Sequence, residues 1–236
     1  MNILQVRNLT QYFGQLAAVN DLSFDVEKGE VFGVAGPNGA GKTTLFNVIT
    51  GYHRYSGNII FDTVSIKRLR PHKICHKGIA RIFQIPQLFV TLPVAENVKV
   101  GAHFGVRGAH DERKRINEII NFVGLQGKEN VIASNLNLFD KKLTMLAIAM
   151  ATEPKLLLLD EPIGGLSPTE VRQFVTLVQK INRDLGLSII VIEHLMRVLT
   201  EISQRLMILH NGEKICIGSP REVIEDKRVI EVYLGG

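Results

Sequence analysis

The stretch Gly36-Pro37-Asn38-Gly39-Ala40-Gly41-Lys42-Thr43-Thr44 carries the most specific chemistry in the chain, because it satisfies the phosphate-binding pattern G-x-x-x-x-G-K-[ST]. Glycines at these positions let successive backbone N–H groups turn inward around phosphate oxygens. A helix that starts there adds the positive end of its dipole. Lys42 is placed to reach the β- and γ-phosphates of ATP, and the Thr43 hydroxyl, with Thr44 beside it, to ligand Mg²⁺. A glycine-rich turn that binds nothing is the competing reading, and the Lys-Thr pair in register counts against it.

A second group lies in Leu156-Leu157-Leu158-Leu159-Asp160-Glu161-Pro162, where two carboxylates follow an apolar run. Ligands of open α/β sheets bind at the carboxyl ends of strands. Asp160 is therefore placed to hold Mg²⁺ through water, and Glu161 to polarise an attacking water as general base. Alone, two acids after a strand can equally be the polar start of a loop.

These residues need strands and helices to position them. Val31–Ala35 (VFGVA) is the short apolar run of a buried parallel strand, and residues 45–49 read as the helix after the loop. The opening is mostly β: residues 3–6 form one strand, and Leu22, Phe24 and Val26 alternate with polar residues in another. Between them, Tyr12-Phe13-Gly14 offers a ring on which an adenine can stack, or simply a core aromatic. Strands follow at 57–61 and 79–83, ending at Gln84. From about 86 to 151 the pattern is helical, with helices at 94–104, 111–123 and 141–151. Alternation of strand and helix then resumes: strand 156–160, helix 168–185, strand 188–193, helix 195–202, strand 205–210, and an Asn211-Gly212 hairpin into 214–217.

The length of 236 residues and a 45% hydrophobic content suit one core with an inserted subdomain. Twenty-eight Lys and Arg against 23 Asp and Glu leave a formal +5, which fits a membrane surface, a nucleic acid or a solvated face alike. Cys75 and Cys216 are isolated and match neither a zinc pair nor a disulfide framework, which points to a reducing, cytoplasmic setting. No apolar run approaches the roughly 18 residues of a membrane span, and the N-terminus has no signal-peptide pattern, so a membrane role is expected to come through a partner.

With both motifs in place, the whole chain resembles an ATP-binding cassette ATPase, the nucleotide-binding subunit of ABC transporters. The resemblance implies an α/β P-loop NTPase: a RecA-like core with an N-terminal antiparallel β subdomain, built from residues 1–85 and 152–236, and an inserted helical subdomain at 86–151. It also implies that Gln84 is the Q-loop glutamine, sensing Mg²⁺ and the γ-phosphate. Phe13 takes the adenine-stacking position, His194 that of the switch histidine, and Gly164-Gly165-Leu166-Ser167-Pro168 the D-loop, with Ser167 where Asp is common. The segments Phe83–Phe89, Pro93–Val98, Ile192-Glu193-His194 and Val229–Gly235 resemble the importers of branched-chain amino acids. In such importers the region near Gln87 to Asn97 docks on membrane permease subunits, and two different ATPases are typically paired. This places the chain on the inner face of the membrane, with no nucleic-acid partner.

One segment departs from the family. Where the signature L-S-G-G-Q, or L-S-Y-G-D in this subgroup, is expected, the chain has Leu136-Asn137-Leu138-Phe139-Asp140, and both glycines are missing. In the family this segment closes the nucleotide site of a partner subunit. Asn137 can still cap the following helix, whereas Phe139 puts bulk where backbone must approach phosphate. Lys141 and Lys142 lie nearby as possible electrostatic compensation. The expectation is therefore a heterodimer with a second, intact ATPase rather than a homodimer. Two other readings remain open: an ATP-binding regulatory module with little turnover, and an ABC ATPase not coupled to transport. Glu161 argues against the first, and the lack of tandem cassettes or a coiled-coil insertion against the second.

Overall fold

The computed structural model describes residues 1–104 and 112–234; the expected helix start at Asp111 and the end of the 229–235 segment lie outside them. β1 (Asn2–Phe13) and β2 (Leu16–Glu27) form a long hairpin, followed by β3 (Val31–Ala35), α1 (Lys42–Ile49), β4 (Ser56–Phe61), β5 (Val64–Ser65), α2 (Pro71–Lys77) and β6 (Ile79–Ile82). The helical stretch holds α3 (Val94–Phe104), α4 (Glu112–Phe122), a 3₁₀ turn (Ala133–Asn135) and α5 (Leu138–Ala151). Then come β7 (Leu156–Asp160), α6 (Pro168–Leu185), β8 (Ser188–Ile192), α7 (Met196–Ile202), β9 (Arg205–His210), β10 (Glu213–Gly218), α8 (Pro220–Glu225) and α9 (Lys227–Leu234).

Two sheets organise these elements. The N-terminal sheet is antiparallel, ordered β2-β1-β4-β5, and the second is ordered β10-β9-β3-β8-β7-β6. In the second, β9, β3, β8, β7 and β6 run parallel and only β10 is antiparallel. The alternation of side chains along a strand divides its residues between two cores. Leu157, Leu159, Ile189 and Val191 join the helices α3 to α6 on one face. Leu156, Leu158, Ile190 and Ile192 join the antiparallel sheet and α1 on the other. Strands buried on both faces need continuous apolar runs, which LLLL before Asp160 and SIIVI supply.

The order of the parallel strands is what builds the site. Neighbouring strands lie about 4.8 Å apart, and their carboxyl ends carry the phosphate loop after β3, Glu193 and His194 after β8, Asp160 and Glu161 at β7, and Gln84 after β6. Segments far apart in sequence thus form one row. The Asn211-Gly212 turn after β9 completes it: Asn211 has φ 50° and Gly212 φ 79°, and the Gly212 N–H donates to the Ala40 carbonyl at 3.1 Å.

Several boundaries differ from the sequence reading. α1 begins at Lys42, because Gly41 (φ 99°) is itself its N-cap. α5 begins at Leu138, inside the segment expected to precede it. β1 extends through Tyr12 and Phe13, so these are strand residues and not a link between strands.

Candidate functional site

The phosphate loop leaves β3 at Gly36, where φ is 152° and a Cβ would stand 2.1 Å from the Leu209 carbonyl oxygen. Only glycine passes β9 that closely. At Gly41 a Cβ would meet the Ala18 carbonyl at 2.3 Å, so the loop is pressed against β2 as well. Asn38 to Thr44 line a cavity of about 310 Å³, closed by Leu16, Ala17 and Ala18, by Asn211 and by Glu161. The Lys42 ammonium folds back inside the loop and donates to the carbonyls of Gly36 at 2.7 Å and Pro37 at 2.9 Å. Burial lowers its pKa, and the charges of Glu161, Asp160 and Glu193 pull the other way.

Asp160 and Glu161 part company at the end of β7. Glu161 has φ 44°, an uncommon left-handed conformation for a residue with a Cβ. Asp160 stays buried and is held by Arg81 at 2.6 Å, while Glu161 turns into the cavity wall. Gln84 Nε2 donates to Glu161 Oε2 at 2.6 Å, joining β6 to the general-base candidate. The His194 ring is 54% exposed and stands 3.7 Å, Nδ1 to Oε2, from Glu193.

The structure therefore brings together Asn38 to Thr44, Glu161 and Gln84, with Asp160 directly behind. Gly36 and Pro37 lie under the loop as acceptors for Lys42. Phe13 does not line the cavity; it is half exposed, with its ring edge-on to His53 at 5.2 Å. In the segment 136–140, Leu136 and Asp140 are buried and Asn137 and Leu138 exposed, and Leu138 packs close against Gly165 of the chain's own D-loop. Asn137 Oδ1 accepts the Asp140 N–H at 2.8 Å and caps α5. Phe139 is turned partly inward onto the helical core, and Leu138, 39% exposed, faces outward.

The donor set suits Mg²⁺, a hard cation that takes oxygen ligands and keeps several waters. Thr43 is exposed, Gln84 uses its nitrogen on Glu161 and so keeps its amide oxygen free, and Asp160 keeps the oxygen that Arg81 does not take.

Several residues of the site were not read from the sequence. Ala17, Ala18 and Asn211 act through backbone shape, which residue type does not reveal. Arg81 did leave a signal: a guanidinium inside the apolar strand IARI, stacked over Phe83 at 4.6 Å and bonded to Asn47 at 2.7 Å. Glu193 left another, as a carboxylate directly after SIIVI.

A parallel sheet whose strand ends gather a phosphate loop, paired carboxylates and a glutamine defines a P-loop nucleotide-binding cassette. Comparison with known proteins makes the class specific. The ABC transporter family model matches residues 19–164, and a branched-chain amino acid ATP-binding cassette transporter model matches 213–236. The chain is 33% identical over 249 residues to the high-affinity branched-chain amino acid transport ATP-binding protein BraF of Pseudomonas aeruginosa, covering 99% of this chain and 98% of that one. It is 34% identical over 252 residues to a probable branched-chain amino acid transport ATP-binding protein, LivG, of Archaeoglobus fulgidus, covering 100% and 96%. The ADP conformation of an ATP-binding cassette of an ABC transporter superposes with a TM-score of 0.91 at 30% identity, over 100% of both chains. The chain belongs to the ABC transporter family, as one of its ATP-binding cassette ATPases. Among the described residues no helix is long and apolar enough to cross a membrane.

Proposed function

We propose that this chain binds Mg-ATP and hydrolyses it to energise an importer of branched-chain or related amino acids. The observation that carries the reading is the 310 Å³ cavity with the phosphate loop on one side and Glu161, bonded to Gln84, on the other. Backbone N–H groups of residues 38–44 cradle the phosphates, and Lys42 exchanges its two carbonyl acceptors for β- and γ-phosphate oxygens. Thr43, Gln84 and Asp160 hold Mg²⁺, whose chemistry here is to neutralise charge on the phosphates. Glu161 takes a proton from the water attacking in line, and His194 steadies the γ-phosphate. Phe13, exposed at the end of β1, is the residue proposed to stack on adenine.

The names of the relatives support the amino-acid solute, and the region near Gln87 to Asn97, in which Asn97 is buried and braces the loop through Phe89 and Leu92, is the part proposed to meet permease subunits at the inner face of the membrane. Residues 86–151 form the subdomain that docks there, against a core of 1–85 and 152–236. The second ATPase is a different chain, because Leu136 to Asp140 carry Phe139 where both family patterns have a glycine that lets backbone N–H groups approach phosphate. The same observation favours one other reading, a cassette that binds ATP and regulates a complex with little turnover.

Steady-state hydrolysis and ATP binding by the assembled complex test this. Glu161→Gln is expected to keep ATP bound and slow turnover by about 10²–10⁴-fold, the range of a lost general base. Lys42→Ala is expected to abolish binding or turnover. Normal turnover in either variant refutes the assignment.

A further inference from the structure

Glu193 lies directly after β8 with its side chain fully buried, and none of the roles above uses it. Its Oε1 accepts the N–H of Ile163 at 3.1 Å, and Ile163 sits just past Glu161 on the loop after β7. Its Oε2 is buried without a hydrogen-bond partner among the described residues, and the nearest ring nitrogen, His194 Nδ1, is 3.7 Å away. Buried acceptors are normally satisfied, so an orphaned carboxylate oxygen between two residues of the nucleotide site asks for a role. The charges that reach Glu193 come from Lys142, buried on α5, from Lys42 on the phosphate loop and from Glu161.

We propose that Glu193 is a positioning residue for hydrolysis: one oxygen fixes the Glu161 loop through Ile163, the other fixes the His194 ring, and Lys142 supplies the counter-charge from α5. The inference rests on the roles proposed for Glu161 and His194. A carboxylate oxygen beside Nδ1 selects the imidazole tautomer protonated there, since the alternative sets two lone pairs against each other. That tautomer leaves a lone pair on Nε2, so His194 acts at the γ-phosphate through a water that donates to Nε2 and not by a direct N–H bond. Because Lys142 follows the 136–140 segment on the same helix, a shift of α5 changes the field at Glu193, so the signature region and the hydrolytic loop share one buried side chain.

Nitrogen-15 NMR of the histidine rings in the purified full chain reads the tautomer, with His194 assigned by His194→Ala. The native chain is expected to show His194 protonated at Nδ1. Glu193→Gln keeps an acceptor for Ile163 but sets an amide N–H where Oε2 stood, so His194 is expected to change to the Nε2–H form. Glu193→Asp is expected to keep the native tautomer. In the assembled complex, Glu193→Gln is expected to lower kcat on the order of tenfold to a hundredfold, the cost of a small misplacement, with KM for ATP little changed. Lys142→Met is expected to lower kcat too, Lys142→Arg to restore it, and the double variant to be no worse than the poorer single one. An unchanged tautomer in Glu193→Gln, or losses that multiply in the double variant, overturns the proposal. A native complex that binds ATP without turning it over overturns the hydrolytic reading instead, and the tautomer still decides this one.

Discussion

Arg81 and Asp160 are a charged pair in which each side chain is about 5% exposed or less, so each is tolerable only because of the other. Removing one partner of such a pair strands a charge in a poorly solvated place, a loss of about 3–5 kcal/mol. Arg81→Met is expected to cost that much in urea unfolding, and Asp160→Asn to cost less in the Arg81→Met background than alone. Glu193 sets a different dependence. Burial raises its pKa from 4.5 to about 7, against the Ile163 and His194 N–H groups and Lys142, while Glu161 adds to the rise. A carboxyl whose folded pKa is raised contributes stability that is complete below its unfolded pKa and is lost as pH rises through the folded one. Between about pH 4.5 and 7 the native protein should therefore lose up to about 3 kcal/mol from this group. Glu193→Gln removes the loss, so calorimetry should find its Tm above that of the native chain at pH 8 and no such advantage at pH 5. A variant that is better folded and worse at hydrolysis separates positioning from support.

At the scale of elements, α5 and α6 begin with side-chain caps. Ser167 and Glu170 form a reciprocal capping box on α6, which explains a Ser where the family often has Asp: both residues cap well. Asn137 caps α5 one way, its Oδ1 accepting the Asp140 N–H without a return bond, so its expected role as a cap holds. Asn137→Ala is expected to destabilise the chain by about 1 kcal/mol and Asn137→Ser to be nearly neutral in thermal melts. Much of this level was legible. LLLL before Asp160 and the α6 stretch identify themselves by apolar run and period, and α6 spans the expected stretch from Pro168 to about Leu185. What was not legible depended on neighbours. α2 is too short and basic to show a period. The start of α5 at Leu138 was hidden because a family pattern occupied those positions. The bond between Gln84 and Glu161 depends on β6 lying next to β7, a pairing made only in the folded sheet.

The whole molecule is a row of strand ends on which motifs scattered from residue 36 to residue 194 meet, and in the function proposed above residues 136–140 are the segment that faces a partner cassette. That segment is well built as structure: Asp140 pairs with Lys128 at 2.5 Å, Phe139 packs partly into the helical core, and Asn137 caps. It is poorly built for phosphate, because Leu138 stands outward and Asn137 Oδ1 is already committed to its own helix. Two copies of this chain would face each other's nucleotides with that same surface. A partner with glycines there would complete the site formed by Lys42, Glu161 and His194. Light scattering coupled to size exclusion separates these cases. Glu161→Gln with Mg-ATP is expected to elute near the single-chain mass of 26.3 kDa with nucleotide bound, and to form a dimer only when a second cassette with an intact signature is added. A shift to twice the single-chain mass on ATP alone would mean that Leu138 and Phe139 can close a composite site after all. Replacing both by glycine should then leave hydrolysis unchanged, whereas on the present reading it should allow this chain to pair with itself.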